Sequence, residues 1–295
     1  MNKMNFSYFF IYFELNLSNK NRFMLSIPNL LTALNLVSGT LAIIAALLGR
    51  VDIAPYFIFL GAIFDFLDGF TARLLKKSGE LGKQLDSLAD MVTFGFAPGI
   101  IMFIMLIFSI SDSEQLGLNF QENTRYLVQN WASIVFYNLP NTIPTHLLYL
   151  PFFALLIPFF SMFRLAKFNI DTRQSESFIG LNTPTNTIFF TTFPLALTLN
   201  FENYFQSKWL QFIYSPEFIT PLIGIMSLLL IAEIPMFSLK FKDFKWGNNQ
   251  LRYSFLLTSL ILIVTLLVWS IPIIVFLYVI LSIIENNFKS KENEI

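Results

Sequence analysis

Long apolar stretches separated by short polar segments dominate the chain. A membrane-spanning helix needs about 20 predominantly apolar residues, with roughly 17–25 as the usual range. Stretches that meet or approach this length lie at 29–48, 53–74, 87–110, 147–168, 185–200, 217–238, 252–268 and 271–285. The pattern predicts an all-α polytopic membrane helix bundle with about eight spans. Because the fifth, seventh and eighth stretches are short, six or seven spans remain open.

The composition supports a membrane location. The 295 residues are 55% hydrophobic and only 13% charged, whereas soluble domains average roughly 45–50% apolar and about 25% charged residues. A soluble protein of this size would lack the polar surface it needs.

The distribution of basic residues predicts the orientation. If the N-terminus is cytoplasmic, all of the 19 Lys and Arg residues except Arg50, Arg125 and Lys208 fall in cytoplasmic segments. The positive-inside rule therefore favours eight spans with both termini in the cytoplasm. Two longer outer linkers, 111–146 and 201–216, mix polar and aromatic residues, which is typical of interfacial caps.

The chain reads as one membrane domain with a short leading segment. We expect residues 1–27 to form an N-terminal cytoplasmic extension and residues 28–290 to form a single membrane domain. The first apolar run is too short to span a membrane and has no cleavage site of small residues. Met24 is an alternative start.

Residue usage excludes several kinds of chemistry. The chain has no cysteine, which excludes disulfides, thiolate metal sites and a cysteine nucleophile. The single histidine, His146, excludes a multi-histidine metal site. The net charge is zero, so no electrostatic argument indicates nucleic acid as a partner. Carboxylates are left as the main candidates for polar chemistry.

Acidic residues cluster at the facing ends of the second and third predicted spans. Asp65 and Asp68 are three residues apart, so a helix places them on one face. Gly82, Asp86 and Asp90 are spaced four apart and also share one face. The link between the two spans is short, so the helices can return as antiparallel neighbours with their acidic faces together.

Four carboxylates at one depth need cations to remain ionised in a low-dielectric site. Hard divalent ions such as magnesium prefer oxygen ligands. Small residues on these faces, Gly69, Ala72 and Gly82, would let a phosphate-bearing substrate approach the backbone, although small residues in spans also serve helix packing. Arg73 adds a donor fork suited to a phosphate or a carboxylate.

The stretch Asp65–Asp90 reads D-x2-D-G-x2-A-R-x8-G-x3-D-x3-D and resembles the signature of the CDP-alcohol phosphatidyltransferase family. The resemblance implies a membrane enzyme that binds two Mg²⁺ or Mn²⁺ ions through Asp65, Asp68, Asp86 and Asp90. Asp90 is implied to act also as the general base. The residues implied to contact the cytidine nucleotide are Gly69, Ala72, Arg73, Gly82, Asn29 and Thr32.

Three further stretches resemble the serine-using branch of this family: Pro28–Gly39, Phe163–Asn169 and Phe178–Pro184. Asn182 and Thr185 stand where that branch usually has proline and alanine. The resemblance implies CDP-diacylglycerol and L-serine as substrates, phosphatidylserine and CMP as products, and a homodimer. The residues predicted to bind the acceptor or a lipid phosphate are Arg164, Lys167 and Asn169, for which membrane anchoring is the alternative role.

Two other functions remain open from the sequence. The same chemistry could act on glycerol 3-phosphate, inositol or choline. A carboxylate-lined cation transporter would explain intramembrane acids, but it gives no reason for the small residues and the arginine at fixed offsets.

Overall fold

In the computed structural model, all secondary-structure elements of the described residues are helices apart from one isolated β-bridge. The structure describes residues 26–76, 79–111, 119–140, 143–171, 179–237 and 246–292. The helices are α1 Ile27–Leu47, α2 Ala54–Leu74, α3 Glu80–Ile110, α4 Phe120–Tyr137, α5 Leu156–Ile170, α6 Thr183–Tyr204, α7 Lys208–Ile213, α8 Pro216–Ile231, α9 Trp246–Leu266 and α10 Ser270–Glu292. Residues 1–25 of the predicted N-terminal extension lie outside the described residues.

A helix lies at each of the eight predicted apolar stretches. By length and hydropathy, the described residues contain four candidate membrane spans: Ile27–Leu47, Glu80–Ile110, Thr145–Ile170 and Asn249–Asn286. The third comprises α5 and the short helical turns before it, and the fourth comprises most of α9 and α10. Helix α2 has 21 residues, about 31 Å at 1.5 Å per residue, which matches a hydrocarbon core of about 30 Å. Eight spans with both termini in the cytoplasm remain a prediction.

The second half of α3 is the centre of the core. Its segment Ala97–Ile110 is apolar on every side and buries most of its residues, as expected for a helix surrounded by others. The predicted interfacial linker 111–146 contains α4, whose Trp131 is buried and donates its indole N–H to the Leu148 carbonyl at 2.8 Å. Trp131 thus anchors α4 to the bundle.

Close helix contacts align the first three helices. A Cβ on Gly39 of α1 would lie 2.3 Å from Thr93 Oγ1, and a Cβ on Gly61 of α2 would lie 2.7 Å from Thr93 Cγ2. Thr93 Oγ1 also donates a hydrogen bond to the Asn35 carbonyl at 3.0 Å. Only glycine permits these approaches, which is a common packing device between membrane helices.

Two local departures from α-helix shape the region around the acidic residues. Residues Met91–Phe96 of α3 form a π-helical turn directly after Asp90, a rare feature that often occurs at functional sites. Helix α8 ends at Ile231, seven residues before the predicted span 217–238 ends, and residue Ala232 is already extended. The extended chain that follows forms an isolated antiparallel bridge between Pro235 and Ile179.

Candidate active site

Three of the four predicted carboxylates form one cluster. Each of Asp65, Asp68 and Asp86 offers an oxygen, and the three oxygens all lie within 4.8 Å of one another. Asp65 and Asp68 come from α2, while Asp86 comes from the first half of α3. The spacing on each helix and the antiparallel return of α3 bring them together as predicted.

Asp90 lies one turn further along α3, outside this group of three. Its Oδ1 accepts a hydrogen bond from Asn35 Nδ2 at 3.1 Å. Asn35 is fully buried, and its backbone carbonyl accepts a hydrogen bond from Thr93 Oγ1. Helix α1 therefore orients the Asp90 carboxylate through the hydrogen bond from Asn35.

Helix α1 also orients the cluster of three. Thr32 Oγ1 donates a hydrogen bond to Asp68 Oδ2 at 2.5 Å. Thr32 and Asn35 are three residues apart and lie on the buried face of α1. One helix face thus supplies a donor to Asp68 and a donor to Asp90.

The cluster retains oxygen atoms that can accept a metal ion. Within the part of the chain that the structure describes, Asp86 Oδ1 is buried and has no hydrogen-bond partner. Among the described residues, the ion pairs Arg50–Asp52 and Lys167–Glu233 lie away from the cluster. Buried carboxylates are normally paired or coordinate metals, so three converging oxygen donors fit a hard divalent cation such as Mg²⁺.

A first cavity, here called the glycine cleft, opens on one side of the cluster and has a volume of about 370 Å³. Asp68 and Asp86 line it together with Lys83. A Cβ added to Gly69 would meet nothing within 4 Å, so this glycine faces open space. All six residues predicted to contact a nucleotide line this cleft: Asn29, Thr32, Gly69, Ala72, Arg73 and Gly82.

A second cavity, here called the arginine pocket, has a volume of about 230 Å³ and opens on the other side of the cluster. Its acidic wall consists of Asp65, Asp86 and Asp90, and Arg164 and Thr183 lie on the remaining wall. Asp86 lines both cavities. The carboxylate cluster is therefore the boundary between the two cavities.

Arg164 is held within the arginine pocket by the backbone and by an aromatic ring. It is buried, its Nε donates to the Leu181 carbonyl at 3.1 Å, and its guanidinium carbon lies 5.4 Å from the centre of the Phe168 ring. Asn182 caps α6 by accepting the Thr185 N–H at 2.8 Å. The stretch Phe178–Pro184, which resembles the serine-using branch, contributes Asn182, Thr183 and Pro184 to the lining of the pocket.

The other two predicted acceptor residues are placed differently. Lys167 Nζ forms an ion pair with Glu233 at 2.8 Å. Asn169 Nδ2 donates to Ser87 Oγ at 2.7 Å, and its carbonyl accepts from Lys83 Nζ at 2.6 Å. These contacts join the end of α5 to α3 and to the chain after α8. Neither Lys167 nor Asn169 lines the arginine pocket.

Sequence reasoning missed one buried polar residue near the arginine pocket. Asn186 is fully buried on α6, one turn after Thr183. Within the described residues, neither its Oδ1 nor its Nδ2 has a hydrogen-bond partner. An asparagine inside an apolar helix was the available signal, but its environment depends on neighbouring helices.

These features define a class: a helical membrane protein with a three-carboxylate cluster between a glycine-lined cleft and an arginine-lined pocket. Residues 25–226 match the CDP-alcohol phosphatidyltransferase family. The chain therefore belongs to the CDP-alcohol phosphatidyltransferase family, and the signature predicted over Asp65–Asp90 is confirmed by this match.

Three curated relatives illustrate the similarity. A CDP-diacylglycerol–serine O-phosphatidyltransferase of Bacillus subtilis is 31% identical over 159 residues, which is 54% of this chain and 69% of the relative. The Saccharomyces cerevisiae protein of the same name is 45% identical over 86 residues, 27% of this chain and 31% of the relative. An archaetidylserine synthase of Methanothermobacter thermautotrophicus is 38% identical over 84 residues, 27% of this chain and 35% of the relative. The chain thus spans about a third of the length of the last two.

Proposed function

We propose that this enzyme transfers the phosphatidyl group of CDP-diacylglycerol to the hydroxyl of L-serine, giving phosphatidylserine and CMP. The observation that carries the proposal is the position of Asp86, which lines both cavities. A transfer reaction needs a donor and an acceptor that meet at one phosphorus atom, and the carboxylate cluster is the place where the two cavities adjoin.

The glycine cleft suits the nucleotide half of the donor. Gly69 leaves room for the nucleotide to approach the α2 backbone. Arg73 and Lys83 line the same cleft and offer cationic donors to the pyrophosphate oxygens. Arg73 is exposed and its Nε already donates to the Gly69 carbonyl at 3.1 Å, which keeps the guanidinium beside the opening.

The carboxylate cluster suits divalent metal. Asp65, Asp68 and Asp86 would hold Mg²⁺ or Mn²⁺ through their converging oxygens, and Asp90 as a further ligand remains a prediction. A bound divalent ion would neutralise the pyrophosphate oxygens and stabilise the departing phosphate of CMP. Thr32 orients the Asp68 carboxylate for this task.

In this proposal Asp90 acts as the general base. It lines the arginine pocket, where the acceptor would lie, and Asn35 holds one of its oxygens. A carboxylate within hydrogen-bond reach can take the proton of the attacking hydroxyl. The hydroxyl oxygen then attacks phosphorus and the bond to the CMP oxygen breaks, so no covalent enzyme intermediate is required.

The arginine pocket suits a small acceptor with a carboxylate. Arg164 offers a planar donor fork that matches a carboxylate bidentately, and the carboxylates on the opposite wall attract an ammonium group. L-Serine carries both groups and the hydroxyl. The relatives named as serine O-phosphatidyltransferases support this choice over glycerol 3-phosphate, inositol or choline.

The remaining parts of the proposal concern placement in the membrane. Eight spans with both termini inside would put the carboxylate cluster at the cytoplasmic surface, where the polar substrates are available. The donor acyl chains would stay in the bilayer. A homodimer is proposed from family membership alone.

The test is CMP release by the detergent-purified full chain with CDP-diacylglycerol and Mg²⁺, comparing serine, glycerol 3-phosphate, inositol and choline. We expect serine-dependent release that a chelator abolishes. Arg164→Ala should raise the KM for serine by a larger factor than the KM for CDP-diacylglycerol. Arg125→Ala, on α4 away from both cavities, is the matched control and should change neither.

Release with a different alcohol would retain the transferase chemistry and reject serine. No release with any acceptor, from a folded preparation that does not bind CDP-diacylglycerol, would reject the proposal as a whole and favour a cation transporter.

A further inference from the structure

Residues 179–181, which directly precede the pocket-lining residues Asn182–Pro184, are held by backbone contacts with the end of α8 and with the chain after it. The Gly180 N–H donates to the Ile234 carbonyl at 2.8 Å, and the Leu181 N–H donates to the Leu229 carbonyl at 2.9 Å. Gly180 has φ 78°, and a Cβ there would lie 2.7 Å from the Ala232 carbonyl oxygen. The segment 232–237, here called the brace, therefore lies directly against Ile179 and Gly180, two residues before the pocket lining begins.

Leu181, the last of these residues, also binds Arg164. The Leu181 carbonyl accepts the Arg164 Nε hydrogen bond at 3.1 Å. Because the Leu181 N–H is itself bonded to the end of α8, a shift of that region would move both the peptide that holds Arg164 and the start of α6. Thr183, the next pocket residue, follows immediately.

Helix α10 forms three hydrogen bonds with the brace. Tyr278 Oη donates to the Phe237 carbonyl at 2.9 Å, and the Phe237 N–H donates to Ser282 Oγ at 3.2 Å. One turn further, Asn286 Nδ2 donates to the Pro235 carbonyl at 2.5 Å. Tyr278, Ser282 and Asn286 are spaced four apart, so one face of α10 makes all three contacts.

The brace is also packed tightly against α10 and α9. Phe237 is buried, and its ring centre lies 4.8 Å from that of Tyr278 and 5.5 Å from that of Phe255 on α9. Helices α9 and α10 are here called the hairpin. Elsewhere on the hairpin surface, large apolar side chains such as Leu260 and Val264 are exposed. The hairpin therefore makes a specific polar and aromatic contact at one place.

The hairpin lies outside the residues that match the family, which end at 226. We propose that α10 is a positioning element for the acceptor: its Tyr278–Ser282–Asn286 face holds the brace, the brace holds Ile179 and Gly180, and the adjoining Leu181 holds Arg164. The inference rests on the proposed role of the arginine pocket as the acceptor site. None of the three α10 residues lines the glycine cleft or the arginine pocket.

Ser282→Ala and Tyr278→Phe test the inference, since each removes one hydrogen bond to the brace and little volume; Ser282→Ala also removes the bond from the Ser282 hydroxyl to the Tyr278 carbonyl within α10. We expect the KM for serine to rise about three- to tenfold, as for the loss of one neutral hydrogen bond. The KM for CDP-diacylglycerol should change less than twofold. Ser270→Ala removes a hydroxyl that donates to the Leu267 carbonyl at the opposite end of α10, and this matched control should leave both constants unchanged.

A second measurement keeps the inference separate from the choice of acceptor. Amide hydrogen exchange at Gly180 and Leu181 should become faster in Ser282→Ala and stay unchanged in Ser270→Ala. Faster exchange with an unchanged serine KM would overturn the positioning role. Unchanged exchange in Ser282→Ala would overturn the brace itself. If the wild-type chain releases CMP only with another alcohol, serine is rejected, and the same KM comparison with that alcohol tests the positioning role.

Discussion

Gly69 allows the stability of the fold and the use of the glycine cleft to be separated in one substitution. Gly69 lies inside α2, and a Cβ there would meet nothing within 4 Å. Gly69→Ala should therefore cost no packing. Because glycine inside a helix is about 0.5–1 kcal/mol less favourable than alanine, the variant should be slightly more stable than the wild type.

The same methyl group should weaken donor binding. It would project into the cleft of about 370 Å³ that we assign to the nucleotide. Overpacking a filled site costs typically about 1–3 kcal/mol, which corresponds to a rise of roughly 5- to 150-fold in the KM for CDP-diacylglycerol. The KM for serine should stay close to the wild-type value, because Gly69 does not line the arginine pocket.

The assay pairs a thermal unfolding curve in detergent with CMP release at varied CDP-diacylglycerol. Gly224→Ala is the matched control: it lies inside α8, and its Cβ would be 3.7 Å from Phe153 Cε1, an ordinary contact. It should gain similar stability and keep full activity. An unchanged donor KM in Gly69→Ala would refute the assignment of the cleft, and a large loss of stability would refute the open space at this glycine.

Three further outcomes are expected. Asp90→Asn should abolish CMP release while CDP-diacylglycerol binding, measured by isothermal titration, is retained; equal loss of binding would contradict a base role. Burial opposes ionisation of Asp52, but hydrogen bonds from Arg50 and Gln121 outweigh it and lower the pKa of Asp52 below its usual value. The ionised form therefore stabilises the fold above the unfolded pKa of about 3.9, so Asp52→Asn should lower Tm at pH 7 and the deficit should shrink as pH falls through the folded pKa. Asn186→Leu removes a buried amide without partners among the described residues and should raise Tm in detergent; a lower Tm would show that the amide is bonded in solution.

Much of the candidate site could be predicted from local spacing. Asp65 and Asp68 share a face of α2, and Asp86 lies on the cluster side of α3, because helical periodicity alone determines which residues of one helix face together. Of the six residues predicted to contact the nucleotide, four belong to the signature and two, Asn29 and Thr32, to the first predicted span; all six line one cleft. Helix boundaries were less accurate: α3 begins at Glu80, before the predicted 87, since its first turns are polar and carry no apolar signal.

Contacts between distant segments were decided only by the tertiary structure. Asn35 meets Asp90 across 55 residues, and Thr32 meets Asp68 across 36. The π-helical turn after Asp90 and the end of α8 at Ile231 likewise leave no periodic trace in the sequence.

The sequence by itself determined that the chain is a membrane helix bundle, that it carries the family signature, and which carboxylates could act together. The tertiary structure decided that Asp86 lines two cavities and that Arg164, of the three predicted acceptor residues, enters the pocket. It also decided that α10 contacts the brace, which in turn contacts Gly180. The physical reason is that periodicity specifies faces of single helices, whereas cavities form where faces of different helices fail to meet.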